Sequence, residues 1–494
     1  MLDTFITVFG SLDAWIYLLI GTAWGLIIGA LPGVGSAFAM TIALPFTYAM
    51  SLDHALVLLM SMYTAAIEGG SISACLLGIP GTGGNVVTVF DGYPMVQQGK
   101  AGLALGASAI ASLVGNILGC SILIYVGPKF VDFALKFGPH EMFAVGLWAF
   151  VMSVAIAPGN LSRNTIAGIV GVILATIGID SKYGFPRLTF GSEYLMVGVN
   201  LVPAILGIFG VTVVLQSIFE EESLVTSIKQ KSYKLSGYRE LLSAWIWVVL
   251  LGTALIGFII GIVPGAGSLV ATLIAYGVFK KISPHKHEYG KGSYEGIMIA
   301  ESCGEATHPG DVLTTMVLGV PGEMAMVVLL GAFTLHGVSA GPLLLVKHPE
   351  YLQNVFLSIL ISGTATFLIA WTTMKGWVKA IELPKMYIWP VVILLSIIGA
   401  YSLNNSMNDV LIMLGTGVLA FFGEKYGYSK IPLMMGLVLG GIMEDNLRNA
   451  FLIDAPMAFF KKPIAMGLLA ITIGTTIAFL WLLNPQKDET EKGS

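Results

Sequence analysis

Apolar runs follow one another along almost the whole chain. The longest, at 15–29, 101–127, 140–157, 194–219, 241–263, 352–374 and 464–483, carry few or no charges. About 20 helical residues cross the roughly 30 Å of bilayer hydrocarbon, so these runs predict transmembrane helices. Shorter, glycine-interrupted apolar segments lie between them, and together they predict ten to twelve membrane-embedded elements that span, tilt or turn back. The pattern therefore predicts an all-α, polytopic membrane protein. The longest polar stretch, EEESLVTSIKQKSYKLSGYRE at 220–240, falls near the middle and reads as an aqueous linker.

The apolar pattern repeats across that linker. GALPGVGS at 29–36 returns as GIVPGAGS at 261–268, 232 positions later, and LLGIPGTG at 76–83 returns as VLGVPGEM at 317–324, 241 later. Asn160 and Ser162 match Asn404 and Ser406, and Gly191 matches Gly436, in the same order and with a slowly growing offset. A duplicated unit with small insertions gives this drift. The expected organisation is a first membrane repeat at 1–219, a linker at 220–240, a second repeat at 241–460, and an extra C-terminal helix with a polar tail at 461–494. Lys229, Lys231, Lys234 and Arg239 in the linker, and Lys280, Lys281, Lys286 and Lys291 after the second PGAG, place both segments on the cytoplasmic side by the positive-inside rule. The matching segments of the first half, 1–13 and 51–54, have no Lys or Arg, which favours inverted repeats.

Composition agrees with the pattern. Of 494 residues 56% are hydrophobic and 11% charged, against roughly 25% charged in soluble domains, and the mean hydropathy is +0.84. A net charge of −4 without a basic, aromatic-laced stripe argues against nucleic acid as a partner. Cys75, Cys120 and Cys303 lie in or beside apolar segments with no CxxC spacing, so neither a disulfide framework nor a metal site is expected. The first thirteen residues lack the basic start of a cleaved signal peptide, and the first helix is expected to remain as an anchor.

A Pro-Gly interruption inside lipid is tolerated only where it faces protein or water, because freed backbone groups need partners. Pro32 and Pro264 each remove a donor, and the result is a broken or re-entrant helix with free amides at one end and free carbonyls at the other. Free amides at a helix start attract anions, and carbonyls and hydroxyls hold cations. Paired interruptions at matching places in two halves point to a transporter's central site. Packing alone also favours glycine in membrane helices, but duplication in register weighs against that explanation. Thr82, Asn85 and Thr88 border the second break, and Glu323 takes the corresponding place in the other half. Ionisable residues in apolar surroundings are functional candidates: Glu68, Asp91, Glu301, Glu305, His308, Asp311, Glu323, Glu444 and Asp445, some of which have Arg448, Lys100 or helix ends as structural partners within reach. His285 and His287 belong to a basic loop, better explained by solvation than by metal.

The run GLIIGALPGVGSAFAMTIALPFT, the block GGSISACLLGIPGTGGNVVTVFDGYPMVQQGKAGLALG, the phrase GFPRLTFG and the block from NNSMNDV to EDNLRNAF together resemble the large membrane subunit of tripartite tricarboxylate transporters over nearly the whole chain. The resemblance implies a bacterial inner-membrane, multi-pass secondary transporter and not an enzyme. It further implies a small membrane subunit, an extracytoplasmic solute-binding protein, a citrate-like di- or tricarboxylate substrate, no organic cofactor, and a coupling cation, commonly sodium. Carried over motif by motif, Pro32, Gly33, Gly35 and Ser36 match the first break, and Pro80, Gly81, Thr82, Gly84 and Asn85 the second. Gly265, Gly267 and Ser268, then Pro321 and Gly322, match the pieces of the other half. These are the expected substrate-binding positions.

One block departs from the family pattern. ESCGEATHPGDVLTTMVLGVPGEM adds acids where an Asn-, Ala- and Gly-rich run is usual. Glu301, Glu305, Asp311 and Glu323 are therefore expected as proton or cation coupling sites, since extra acids would repel a tricarboxylate unless protonated or offset. A channel with glycine-rich re-entrant loops is the first alternative. An intramembrane enzyme built on PGD at 309–311 is the second, and it lacks a defined second acid.

Overall fold

The computed structural model describes residues 1–180, 182–219, 243–380 and 388–482, so the expected linker and polar tail lie outside the described residues. Those residues are almost entirely helical. In order come α1 Leu2–Phe9, α2 Leu12–Gly29, α3 Ser36–Thr47, α4 Leu52–Leu77, α5 Val86–Gln97, α6 Ala101–Ala134, α7 Pro139–Ile156, α8 Leu161–Ala175, α9 Glu193–Met196, α10 Leu201–Ile205 and α11 Thr212–Phe219. The second half supplies α12 Ala244–Gly261, α13 Gly267–Ile282, α14 Tyr294–Leu318, α15 Met324–Leu335, α16 Pro342–Lys347, α17 Pro349–Ala380, α18 Ile388–Asn404, α19 Met407–Lys425, α20 Lys430–Ile453 and α21 Pro463–Leu482. Among the described residues nine helices are long and apolar enough to cross a membrane, and four shorter helices are apolar. The protein is an all-α, polytopic membrane protein.

The chain divides into two compact units, each drawing on both halves of the sequence. The larger comprises Met1–Asp132 and Asn200–Phe421, and the smaller Phe133–Val199 and Phe422–Ser494.

In the larger unit α4 and α14 are buried along nearly their whole lengths. Glycines bring their neighbours unusually close. A methyl group on Gly21, Gly25 or Gly29 of α2 would lie 2.6, 2.5 or 2.0 Å from the carbonyl oxygen of Leu58, Met62 or Ala66 on α4. The second half repeats the device. Gly257 and Gly261 of α12 stand 2.3 Å by the same measure from the carbonyl oxygens of Cys303 and Thr307 on α14. These pairs recur at the offsets of 232 and 241 seen in the sequence motifs. With no hydrophobic drive between helices in lipid, close backbone approach through small residues supplies the packing.

Three spans depart from the apolar pattern. The run at 194–219, expected as one helix, is split: Gly198 turns at φ +90°, Asn200 precedes α10, and a π-helical stretch at Leu206–Val211 leads into α11. Hydropathy does not sense backbone breaks made by glycine. Leu52–Leu77 and Met407–Lys425 are also long apolar helices, although Asp53, Glu68, Asp409 and Glu424 interrupt their hydropathy. The C-terminal helix α21 falls where the pattern puts it.

In the smaller unit α20 packs on α8 and α7, and α21 on α7. A methyl on Gly171 would lie 2.0 Å from the Leu433 carbonyl oxygen, and one on Gly436 would lie 2.1 Å from that of Gly168. A two-stranded hairpin, β1 Gly178–Ile179 with β2 Pro186–Arg187, interrupts the helices. Asp180 anchors it by accepting from the backbone amides of Lys182 and Tyr183 at 2.9 and 2.8 Å and pairing with Arg448 at 2.7 Å. Arg187 and Arg448 meet on Glu444, each at 2.5 Å. The Tyr183 amide first, then the Arg448 guanidinium, lower the Asp180 pKa to about 2. Glu444 therefore serves a structural ion network.

Candidate functional site

Each of the four Pro-Gly breaks ends one helix and starts a short one: α3, α5, α13 and α15, of 12, 12, 16 and 12 residues. At the first break Gly35 turns at φ +82°, and at its counterpart Gly267 turns at φ +62°, a left-handed geometry that glycine adopts readily. Thr82 and Asn85 shape the start of α5 through a one-turn 3-10 segment, where the Thr82 hydroxyl donates to Asn85 Oδ1 at 2.5 Å. No side chain caps α3.

These breaks touch in sequence. The Gly33 amide donates to the Pro80 carbonyl at 3.1 Å, joining the two breaks of the first half. Across the halves, a methyl on Gly84 would lie 3.0 Å from the Ser268 hydroxyl oxygen. Within the second half, the amide and hydroxyl of Ser268 donate to Glu323 Oε2 at 3.4 and 3.2 Å, and a methyl on Gly322 would lie 2.5 Å from Asp311 Oδ1. Residues far apart in the chain thus form one centre. Gly33 and Gly83 are exposed, whereas Gly81, Thr82, Gly84, Asn85, Gly267, Ser268, Pro321 and Gly322 are buried. Gly35 is partly exposed with open space beside it, and Gly265 is partly exposed, turned at φ +76°.

Behind the breaks α14 carries Glu301, Glu305, His308 and Asp311 at helical spacing on one face, all buried. Glu301 accepts from Ser71 at 2.5 Å, from Ser112 at 3.3 Å and from Thr88. Ser71 in turn accepts from Asn85 Nδ2 at 2.7 Å. A continuous chain of hydrogen bonds therefore runs from the second break to Glu301. Asp311 accepts from Tyr63 at 3.2 Å, and the Tyr63 ring lies 4.2 Å from that of His308. Among the described residues no Lys or Arg pairs with Glu68, Glu301, Glu305 or Asp311. Buried carboxylates without a cation are costly unless they are protonated or hold an ion.

Asp91 has a different role. Its Oδ1 accepts from the amides of Gly290, Gly292 and Ser293 at 2.8, 3.1 and 2.9 Å, and its Oδ2 from Tyr276 at 2.7 Å. It latches the basic loop after α13. Tyr63, Ser71, Ser112 and Asn116 had no sequence signal beyond being polar residues within apolar runs, where a hydroxyl more often bonds to its own helix.

A sequence profile of the tripartite tricarboxylate transporter TctA family matches residues 15–435. The chain belongs to that family. It is 31% identical over 477 residues to the "uncharacterized 52.8 kDa protein in TAR-I ttuC' 3'region" of Agrobacterium vitis, covering 96% of this chain and 95% of that one. It is also 30% identical over 236 residues to the "uncharacterized protein in TAR-II ttuC' 3'region" of the same organism, covering 47% of this chain and 98% of the relative. Family membership and nine apolar spans among the described residues make it a multi-pass transporter component. Two of the four blocks that carry the resemblance contain the first-half breaks that meet in the larger unit.

Proposed function

We propose that this TctA-family chain is the translocation subunit of a binding-protein-dependent secondary transporter that imports small, citrate-like di- or tricarboxylates across a bacterial inner membrane. Its partners are a small membrane subunit and an extracytoplasmic solute-binding protein, and a sodium or proton gradient drives uptake. The observation that carries this reading is the meeting of four short helix starts at four Pro-Gly breaks. Each start presents about half a positive charge; that of α13 already faces Glu323, and the other three present roughly one and a half, which suits an anionic substrate. Gly33, Gly35 and Ser36, with Thr82 to Asn85, form one side of the anion site, and Gly265, Gly267, Ser268, Pro321 and Gly322 form the other. Glu301, Glu305, Asp311 and Glu323 are the coupling groups, reached from the substrate through Asn85 and Ser71. The duplicated element order supports two repeats, which we take to be inverted, with the linker at 220–240 on the cytoplasmic side.

Uptake of labelled di- and tricarboxylates into proteoliposomes tests this. The vesicles hold the chain, its small subunit and its binding protein, with a sodium or a proton gradient imposed in turn. Accumulation that requires the binding protein and one gradient is expected. Passive equilibration without either would sink the transporter reading in favour of a channel.

A further inference from the structure

Between α4, α6, α14 and α17 of the larger unit lies a pocket with room for one water-sized particle, lined by Thr64, Glu68, Ser112, Glu305 and Thr366 among others. Thr64 Oγ1, Glu68 Oε2, Glu305 Oε2 and Thr366 Oγ1 are buried and make no hydrogen bond, although each residue is at most 3% exposed. Thr64 and Glu68 are four residues apart on α4, so both face the pocket from successive turns. On α17, Gly363 admits Asn116, whose Cγ would lie 2.5 Å from a methyl there. The Asn116 Oδ1 beside it is also without a partner.

A buried hydroxyl left unpaired costs about 1–3 kcal/mol, so a water or an ion is needed at this point to satisfy the group; of the two, only a cation also offsets the two carboxyl groups. The donor set is all oxygen, the choice of a hard cation. Protonation of Glu68 or Glu305 would neutralise a carboxyl, but it would leave the threonine hydroxyls unmatched. Calcium takes 6–8 oxygens, more than this pocket offers, and magnesium keeps waters for which there is no room. Other titratable groups stand near these carboxyls, the buried Cys75 beside Glu68 and Cys120 beside Glu305 among them. Glu301 shares Ser112 with the pocket. His308 Nδ1 lies 3.2 Å from Glu305 Oε2 without hydrogen-bond alignment. Glu323 interacts with Glu305 from the second-half break.

We propose that this pocket binds one dehydrated sodium ion, with Thr64, Glu68, Glu305 and Thr366 as ligands. Ser112 links the ion to Glu301, and from there Ser71 and Asn85 link it to the second break. Sodium entry would then order the hydrogen bonds that shape the anion site. The inference deepens the transport reading and rests on it for its purpose, but the binding needs neither carboxylate nor partner subunits.

Binding of ²²Na⁺ to the purified full chain in lipid nanodiscs at fixed pH is the test. Saturable binding is expected, weakened at least about tenfold in Thr366→Val and in Glu68→Gln, and retained in Thr366→Ser. The serine variant keeps the oxygen and controls for folding. Excess lithium should compete, whereas choline should not. Equal binding in Thr366→Val, Thr366→Ser and wild type would overturn the assignment. So would no sodium binding together with a carboxyl protonation band, read by infrared difference spectroscopy, that Glu68→Gln abolishes; that result would make the pocket a proton site. Either failure leaves the carboxylate-uptake experiment unaffected, so the two readings fall separately.

Discussion

Substituting Gly29 with alanine tests whether the first break is held in place by the crossing of α2 over α4. The new methyl would lie 2.0 Å from the Ala66 carbonyl oxygen and 2.6 Å from its Cα, both backbone atoms that cannot rotate away. Ordinary contact begins at 3.4 Å, so the helices must part by more than an ångström. Parting also unseats Gly25 and Gly21, which make the same kind of approach one and two turns earlier. Overpacking costs about 1–3 kcal/mol, and a three-level stripe belongs at the top of that range. Alanine regains at most about 1 kcal/mol in helix propensity, leaving a net loss of about 2 kcal/mol. Gly277→Ala is the control, because nothing lies within 4 Å of its added methyl, and it should stabilise α13 by up to about 1 kcal/mol. Unfolding of the purified chain by sodium dodecyl sulfate in mixed micelles measures both. Carboxylate uptake should fall in Gly29→Ala, since Gly81 packs against the Gly29 carbonyl oxygen and the break moves with it, while Gly277→Ala keeps wild-type uptake. If Gly29→Ala proves as stable as Gly277→Ala, the stripe does not position the break.

Three further outcomes are expected. Asp91→Ala removes the acceptor for the amides of Gly290, Gly292 and Ser293, each bond to the carboxylate contributing about 1.5–3 kcal/mol; hydrogen exchange there should quicken at least about tenfold, and unchanged exchange would place the latch elsewhere. Ser71→Ala and Glu301→Gln, combined in a double-mutant cycle on unfolding free energy, should show coupling of about 1 kcal/mol or more, whereas strict additivity would mean that Ser71 does not relay between Asn85 and Glu301. Asp180, with its folded pKa lowered to about 2, contributes hairpin stability that is complete above its unfolded value near 4 and is lost as pH falls through about 2. Arg448→Met should move that carboxyl midpoint upward in ¹³C spectra of aspartate-labelled protein, and an unmoved midpoint would leave the Tyr183 and Lys182 amides as the cause.

What the sequence determined by itself follows from local physics. Apolar runs of bilayer length leave a helix few alternatives in lipid, so the all-α membrane class, most spans and the terminal helix α21 were legible. The Pro-Gly breaks were equally legible, because proline and glycine act on their own backbone whatever surrounds them. Tertiary structure decided what meets what. Nothing in GIPGTGGN announces that Gly84 will lie against Ser268, nor in PGEM that Glu323 will reach the start of α13, since those contacts depend on how helices from opposite halves pack. Asp91 and Glu301 look alike in the sequence, an acid in an apolar run. In the fold one is tied to three loop amides and the other sits among hydroxyls from α4, α5 and α6. Thr64 and Thr366 gave no signal, because a threonine in a membrane helix usually bonds to its own backbone. Only the convergence of four helices leaves these two without that role and turns them toward one point.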